Sequence, residues 1–238
     1  TAYRALINPP ETYVPTGASL AGKRIGLIKD TYANSEEGAL VKDIIAKAAA
    51  KMREEGAIVE EIEVSDFKTI IGSTAVMNDK GFTETFRSLS GVEFKQALTD
   101  YLSTATTAFK SYDELLNNGK MISSFQGYNT DPNSETFINR YYNNTTFRAP
   151  YVRLRLNTAL GNRTLDGTPK GPRYDALAYP SITGFVGNLG GSPTTGSNNR
   201  LSPFSGFPAL SIPAGTVNYE RRSAYPLNVN IEFIGREF

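Results

Sequence analysis

Short apolar runs near the start of the chain have the length and composition of buried strands. Residues 23–28 (KRIGLI) follow Gly22, and residues 57–64 (AIVEEIEV) follow a second glycine. Runs of this kind, bounded by glycine, predict strands. The region 20–70 is therefore predicted to form a β-α-β unit with short connections, parallel strands and a right-handed crossover.

The segment between these two strands has helical periodicity. Asn34, with Glu37 three residues later, predicts the start of a helix, and Gly56 predicts its end. The apolar residues that share one face of this helix are Leu40, Val41, Ile44, Ile45, Ala48 and Met52. One side of the helix is therefore predicted to face inward.

Residues 75–165 are predicted to be a mainly helical insertion. Capping boxes, in which glutamate follows serine by three positions, precede apolar residues at helical spacing. They are Ser90 with Glu93 and Ser111 with Glu114. Pro150 is predicted to open a further helix. The arginines that follow it, Arg153, Arg155 and Arg163, are predicted to face solvent, with nucleic-acid binding as the alternative.

The region 171–238 is predicted to contain strands and a glycine-rich loop. Residues 173–180 (RYDALAYP) predict a strand that stops at proline, and residues 183–200 form a long loop rich in glycine, serine, asparagine and threonine. In residues 227–233 (LNVNIEF) apolar and polar residues alternate. One face of this last strand is predicted to be buried, and the other to lie against solvent or a cavity.

Residues 201–215 (LSPFSGFPALSIPAG) are predicted to form a strand whose two ends take their backbone shape from proline and glycine. Pro208 and Pro213 lack the backbone donor that a central strand uses. Gly206 and Gly215 permit dihedral angles that other residues avoid. The segment is therefore predicted to bring its backbone close to another part of the molecule.

The composition narrows the possible functions of this 238-residue chain, which is 39% hydrophobic with a net charge of +1. The near-neutral charge gives no long-range attraction to nucleic acid or anionic membrane, and no run of about 18 apolar residues predicts a membrane span. The chain has no cysteine and no histidine. These absences exclude disulfides, thiolate or histidine metal sites, a cysteine nucleophile and a Ser-His-Asp triad.

The residues alone suggest few reactive groups. Ser192 follows two glycines in residues 188–197 (NLGGSPTTGS), where backbone amides could stabilise an oxyanion. A flexible linker is the favoured interpretation, because no base lies at a recognisable spacing and Pro193 lacks an amide donor. Lys23 could act as a base, but a lysine at a strand edge is far more often solvated. No complete catalytic set follows from these residues.

Several motifs along the chain together resemble the C-terminal half of amidase-signature hydrolases. The most specific are YDALAYPS, SGFPALSIPAG and PLNVNIEFIGREF. The elements EFKQALTDYL and DELL lean towards the peptide-amidase-like branch of that family. The resemblance extends from about residue 20 to the end of the chain.

This resemblance implies a large α/β/α sandwich around a mixed sheet, with residues 1–238 as the C-terminal part of one domain. It implies hydrolysis of a small amide or a peptide amide to an acid plus ammonia or an amine, without a metal or another cofactor. The family uses a Ser–cis-Ser–Lys triad. The lysine, acting through the middle serine, takes the proton from the nucleophilic serine.

The chain departs from the family at the triad. In the family, the lysine and both serines precede the first strand predicted here, and the chain continues beyond the final GREF. The sequence is therefore expected to be a fragment truncated at both ends and inactive by itself. Its expected partner is the missing N-terminal half, or a second copy joined through exposed strand edges. No residue of this chain corresponds to a residue of the triad. Ser192 lies in a different element from the catalytic serines of the family.

The resemblance also implies which residues of this chain form the wall of a substrate pocket. In the family, the loop after the aspartate-containing strand and the region before SGFP help to close the substrate site. This implies four wall positions, which are Ser181, Asn199, Phe204 and Phe207. Gly206 and Pro208 would fix the backbone shape. Core packing is an equally reasonable role for either phenylalanine.

Two other functions also fit the sequence. A related one is the A subunit of a tRNA-dependent amidotransferase, which shares the fold and the triad and would need an accessory subunit and tRNA contacts. The other function belongs to a different class, and it is that of a non-catalytic α/β module whose glycine-rich loop binds a small ligand.

Overall fold

A five-stranded mixed sheet lies at the centre of the structure, a computed structural model that describes residues 19–29, 31–128, 130–187 and 198–236. The strands of the chain are β1 (Arg24–Ile28), β2 (Ile58–Ile62), β3 (Val76–Met77), β4 (Thr83–Glu84), β5 (Ala176–Pro180), β6 (Ala209–Val217) and β7 (Leu227–Ile234). The central sheet has the order β2-β1-β5-β7-β6, and β3 and β4 form a separate antiparallel pair. β1 is parallel to β2 and β5, whereas β7 is antiparallel to β5 and β6. The predicted α/β class with a mixed sheet is confirmed.

Helices connect and cover these strands. They are α1 (Glu36–Glu54), α2 (Phe67–Ile70), α3 (Ser90–Thr104), α4 (Tyr112–Asn117), α5 (Glu135–Tyr142), α6 (Arg148–Leu160) and α7 (Leu201–Ser205). A 3-10 turn spans Ser123–Phe125, and a π-helical turn spans Asn143–Phe147. Residues 75–165 therefore contain most of the helices, together with the short β3–β4 pair that periodicity did not predict.

Apolar side chains fill both faces of the central sheet. On one face, Val41, Ile44 and Ile45 of α1 pack among inward-facing side chains of β1 and β7. On the opposite face, residues from α6, α7 and the strands share a second core, which includes Ile28, Leu156, Leu177, Leu201 and Ile234. Each fully buried aliphatic side chain contributes about 1.5–3 kcal/mol. The sheet is thus stabilised from both sides.

The start of α1 differs from the prediction by one residue. Ser35, not Asn34, is the N-cap, and its Oγ accepts a hydrogen bond from Gly38 N at 3.2 Å. Glu37 does not complete a capping box, because its carboxylate pairs with Arg222 Nε at 2.8 Å. A tertiary ion pair has therefore displaced the local cap that sequence spacing predicted.

The two predicted capping boxes of the insertion have different outcomes. Ser111 is the N-cap of α4, as predicted, and its Oγ accepts a hydrogen bond from Glu114 N at 3.1 Å. The prediction for Ser90 was wrong, because Ser90 lies inside α3 and caps nothing. Its own N–H instead donates to Ser88 Oγ at 3.2 Å.

Pro150 does not open a helix. It lies in the first turn of α6, and helical conformation continues upstream through the π-helical turn into α5. A proline has no N–H and needs no carbonyl partner one turn earlier, so it is tolerated beside an irregular turn. The helix start predicted at Pro150 is therefore a change of helical winding within a longer helical segment.

Arg155 does not face solvent, contrary to the prediction. Its Nη2 donates to Asp66 Oδ2 at 2.7 Å, and its guanidinium lies 3.3 Å from the centroid of the Tyr151 ring. Hydrogen bonding to Arg155 lowers the pKa of the Asp66 carboxyl below its ordinary value. Arg155 thus ties α6 to the turn before α2, which is a structural role.

The segment 201–215 is not a single strand. Its first five residues form α7, and the strand begins only at Ala209. Gly206, with φ at +79°, lies in the left-handed region and turns the chain from α7 towards β6. Gly215 makes the predicted close approach, because a Cβ there would lie 3.1 Å from Ile44 Cγ2 of α1.

We expect Gly206→Ala to destabilise the protein by about 1–2 kcal/mol, because an L side chain in the left-handed region meets its own backbone. The control is Gly91→Ala in α3, where an added Cβ meets nothing within 4 Å. That change should stabilise the protein by about 0.4–1 kcal/mol. Urea unfolding measures both effects, and a Gly206→Ala variant as stable as the wild type would contradict the assignment.

Candidate functional site

The connections of the central sheet reverse direction between β1 and β5. β1 and β5 are parallel neighbours, but β1 leads through α1 to β2 on one side. β5 leads through α7 to β6 on the other side, beyond β7. In open α/β sheets, ligands bind at the carboxyl ends of the strands where the strand order reverses. The edge formed by the ends of β1 and β5 is therefore the candidate functional site.

A buried asparagine joins the two strand ends at this edge. Asn198 Nδ2 donates to Thr31 O at 2.7 Å and to Pro180 O at 2.9 Å. The backbone N–H of Asn198 donates to Ser181 O at 3.1 Å. Both amide hydrogens are thus used, whereas Oδ1 is buried and accepts no hydrogen bond from the residues that the structure describes.

Asn198 is the site residue that the sequence did not identify. The predicted residue was its neighbour Asn199, which is exposed. The sequence SNNR offers two adjacent asparagines. The positions of the two strand ends decide which of them turns inward. The feature that identifies Asn198 is a buried carboxamide that donates to two carbonyl oxygens. This feature is visible only in the three-dimensional structure.

Ser181 lies directly after β5, on the face of the sheet that carries the polar side chains of β7. Its Oγ is 2.8 Å from Ser211 Oγ of β6. Asn230 Nδ2 lies 3.5 Å from the same Ser211 oxygen. Ser211 is exposed, and Ser181 and Asn230 are half-buried. The polar face predicted for the last strand therefore borders solvent at this end, next to two hydroxyl groups.

Farther along the same face lies a buried carboxylate. Glu232 of β7 is directly opposite Tyr179 of β5, and the Tyr179 hydroxyl donates to Glu232 Oε1 at 2.6 Å. Burial, reinforced by this carboxylate, raises the pKa of Tyr179 well above its ordinary value. The phenol therefore stays protonated at neutral pH and continues to donate. No cation forms an ion pair with Glu232 among the residues described.

The two phenylalanines predicted to line the site lie in the core on this face of the sheet. Phe207 is 1% exposed and Phe204 is 8% exposed. Phe204 also faces a cation, because Arg148 Cζ lies 4.1 Å from the centroid of its ring. The structure thus brings Ser181 to the open polar face, Asn199 beside the strand ends and both phenylalanines beneath, in the core.

A cavity of about 410 Å³ also opens at the carboxyl end of β1. Lys29, Tyr32, Ser35 and Lys42 line it, together with the first turn of α1. Burial raises the pKa of Tyr32 to about 12. This cavity extends the candidate site towards the carboxyl end of β2, and its charged lining residues are Lys29, Lys42 and Glu61.

The described part of the chain contains no group of three or more metal-ligating side chains. No helix among those residues is long and apolar enough to cross a membrane. No lysine donates a hydrogen bond to a serine in residues 19–29, 31–128, 130–187 and 198–236, so this part holds no preformed Ser–Lys pair. Ser192, weighed above as a nucleophile, lies outside the described residues.

Comparison with solved structures relates this geometry to known proteins. The native peptide amidase from Stenotrophomonas maltophilia matches 91% of this chain with a TM-score of 0.56 and 18% identity, over 40% of its own length. A bacterial aryl acylamidase of the amidase-signature family matches 92% of this chain with a TM-score of 0.55 and 18% identity, over 41% of its own length. The chain has the amidase-signature fold.

The comparison confirms the predicted resemblance for the fold. The chain spans about 40% of the length of these structures, which fits the predicted C-terminal portion. Equal identities to a peptide amidase and to an aryl acylamidase do not separate the branches of the family. No protein-family model matches the chain, and no curated protein matches its sequence.

We expect Tyr179→Phe to destabilise the protein by about 1–3 kcal/mol, because the buried Glu232 carboxylate loses its donor. In the double variant Tyr179→Phe/Glu232→Leu the loss should be smaller, since no carboxylate is left without a partner. Urea unfolding of the two single variants and the double variant measures this coupling. Strictly additive losses would show that the two side chains do not interact.

Proposed function

We propose that this chain is the C-terminal portion of an amide hydrolase. The complete enzyme would cleave a small amide or a peptide amide to an acid plus ammonia or an amine. The observation that carries the proposal is an edge at the reversal of strand order, bordered by the Ser181–Ser211 hydroxyl pair, in a chain with the amidase-signature fold. Such an edge is where this class of sheet binds its ligands.

In this proposal the chain supplies the wall of the substrate site and not the reacting groups. Ser181 and Asn199 would contact the amide substrate from the strand ends. Phe204 and Phe207 would support that wall from the core. The nucleophile and its base would come from the part of the amidase-signature fold that this chain does not span, as a Ser–cis-Ser–Lys triad.

The native protein that contains this sequence, purified from its source, should release ammonia from a C-terminal peptide amide. A fluorophosphonate probe should label it on a serine outside the present 238 residues. The isolated chain should neither turn over the amide nor become labelled, because the proposal places the nucleophile and its base outside this chain. Ammonia release and intact-mass analysis measure these outcomes, and labelling of the isolated chain would contradict the proposal.

The same purified protein distinguishes amide hydrolysis from the other two functions. A tRNA-dependent amidotransferase subunit would require an accessory subunit and charged tRNA for its synthetic reaction. A binding module would hold a small ligand without turning it over. Neither alternative predicts hydrolysis of a simple peptide amide by the purified protein alone.

We further propose that the surface around β6 is covered by the rest of the amidase-signature fold. Among the strands that the structure describes, β6 pairs with β7 alone, and residues Ala209–Pro213 are all exposed. Leu210 is 63% exposed and Ile212 is 40% exposed. A long apolar edge strand of this kind pairs readily with another strand. About 60% of the chain of the matched peptide amidase lies outside the shared part, and this is the material proposed to cover the surface around β6.

Without that partner, the isolated chain should associate with itself through β6. Its sedimentation coefficient is expected to rise with concentration, and Leu210→Lys should suppress the rise because a charge on an edge strand opposes pairing. The control is Tyr225→Lys, which adds the same charge at a residue that is 80% exposed. A concentration-independent monomer, or equal behaviour of the two variants, would contradict the assignment of β6.

A further inference from the structure

Two arginines converge on the ring of Phe204. Arg148 Cζ lies 4.1 Å from the ring centroid, and Arg200 Cζ lies 5.9 Å from it. Arg148 begins α6, and Arg200 directly precedes α7. The pairing of these two helices therefore places two cations beside one aromatic ring, although the arginines are 52 residues apart in the sequence.

The charge of this pair is not neutralised by nearby carboxylates. Arg87 and Arg140, from adjoining segments, share a single glutamate, Glu84, at 3.4 and 3.8 Å. Arg148 and Arg200 have no carboxylate within 4.0 Å among the residues that the structure describes. The neighbourhood of Phe204 thus carries a surplus of positive charge, although the whole chain is close to neutral.

Both arginines also retain unused donors. Arg148 Nη1 donates to Arg87 O at 2.6 Å and to Asn144 Oδ1 at 3.3 Å, but its Nε is buried and has no acceptor. Within the described residues, Arg200 donates through Nη1 alone, to Ile71 O at 2.5 Å. The remaining N–H groups of both guanidiniums have no acceptor in the described part of the chain.

A purely structural role accounts for only part of this arrangement. Tethering Arg87 O and Ile71 O requires a donor at each position, and it does not require two full positive charges. Burial lowers the pKa of the Arg148 guanidinium, because its charge is desolvated without a compensating anion. A guanidinium with free donors in a fixed plane is suited to binding an oxyanion through two parallel hydrogen bonds.

We propose that Arg148 and Arg200 form an oxyanion-binding site beside Phe204, with a carboxylate or a phosphate group as the ligand. The anion would accept hydrogen bonds from the guanidinium N–H groups that are neither used nor buried, and it would neutralise the surplus charge. The site is built only from residues of this chain. It does not depend on amide hydrolysis, so either proposal can fail without the other.

The test uses the native protein that contains this sequence, with inorganic phosphate and acetate as probes and with chloride at equal ionic strength as the reference. Isothermal titration should detect saturable binding of phosphate, of acetate or of both, and the stronger ligand assigns the oxyanion class. Arg200→Gln should weaken that binding about tenfold or more, because one charge-assisted contact is lost. Arg200 is exposed, so this variant is expected to fold.

Arg163→Gln is the matched control. It removes the same charge from an exposed arginine at the other end of α6 and should leave the affinity unchanged. Arg148→Lys provides a second test, because it keeps a positive charge and loses the planar fork, and it should also weaken binding. Two results would overturn the proposal: no saturable binding of either anion above the chloride reference, or equal weakening by Arg200→Gln and Arg163→Gln.

Discussion

The hydrogen bonds of the Asn198 carboxamide are the contact on which the candidate site depends. Its two amide hydrogens satisfy the carbonyl oxygens of Thr31 and Pro180, which lie beyond the ends of two parallel strands. Parallel strands need long connections, so nothing local in the sequence holds their carboxyl ends together. The ladder between β1 and β5 pairs them as far as Leu27 and Ala178, and beyond it this one buried side chain joins the two segments. It also fixes where the chain re-enters the sheet and therefore where α7 begins.

The geometry of the rest of the site follows from that anchor. α7 lies on one face of the sheet and buries Phe204, and the left-handed Gly206 then turns the chain into β6. As a result, β6 reaches the edge of the sheet with its first residues exposed, while β7 is enclosed between β5 and β6. The polar side chains of β7 change along its length from solvated to buried. Glu232 is tolerated at the buried end because Tyr179 donates to it.

Sequence patterns predicted the elements whose stability is local or whose periodicity is strong. The β-α-β unit and the alternating last strand were both predicted within a residue or two, because burial on one side imposes a period on the chain. The segment 201–205 was assigned to a strand and is a helix, because five residues carry too little periodicity to distinguish the two. Ser90 and Asn34 fitted capping patterns but were displaced by competing hydrogen bonds and ion pairs.

The order of the amino acids is enough to predict the class of the fold, the parallel pairing of β1 with β2, the polar face of the last strand and the absence of cysteine and histidine chemistry. Each of these follows from composition or from contacts between near neighbours in the chain. Long-range packing is what places Asn198 rather than Asn199 at the strand ends, pairs Arg155 with Asp66, and brings Arg148 and Arg200 to the ring of Phe204. These contacts join residues far apart in sequence, and their partners are set by how helices and strands pack, which no local pattern encodes.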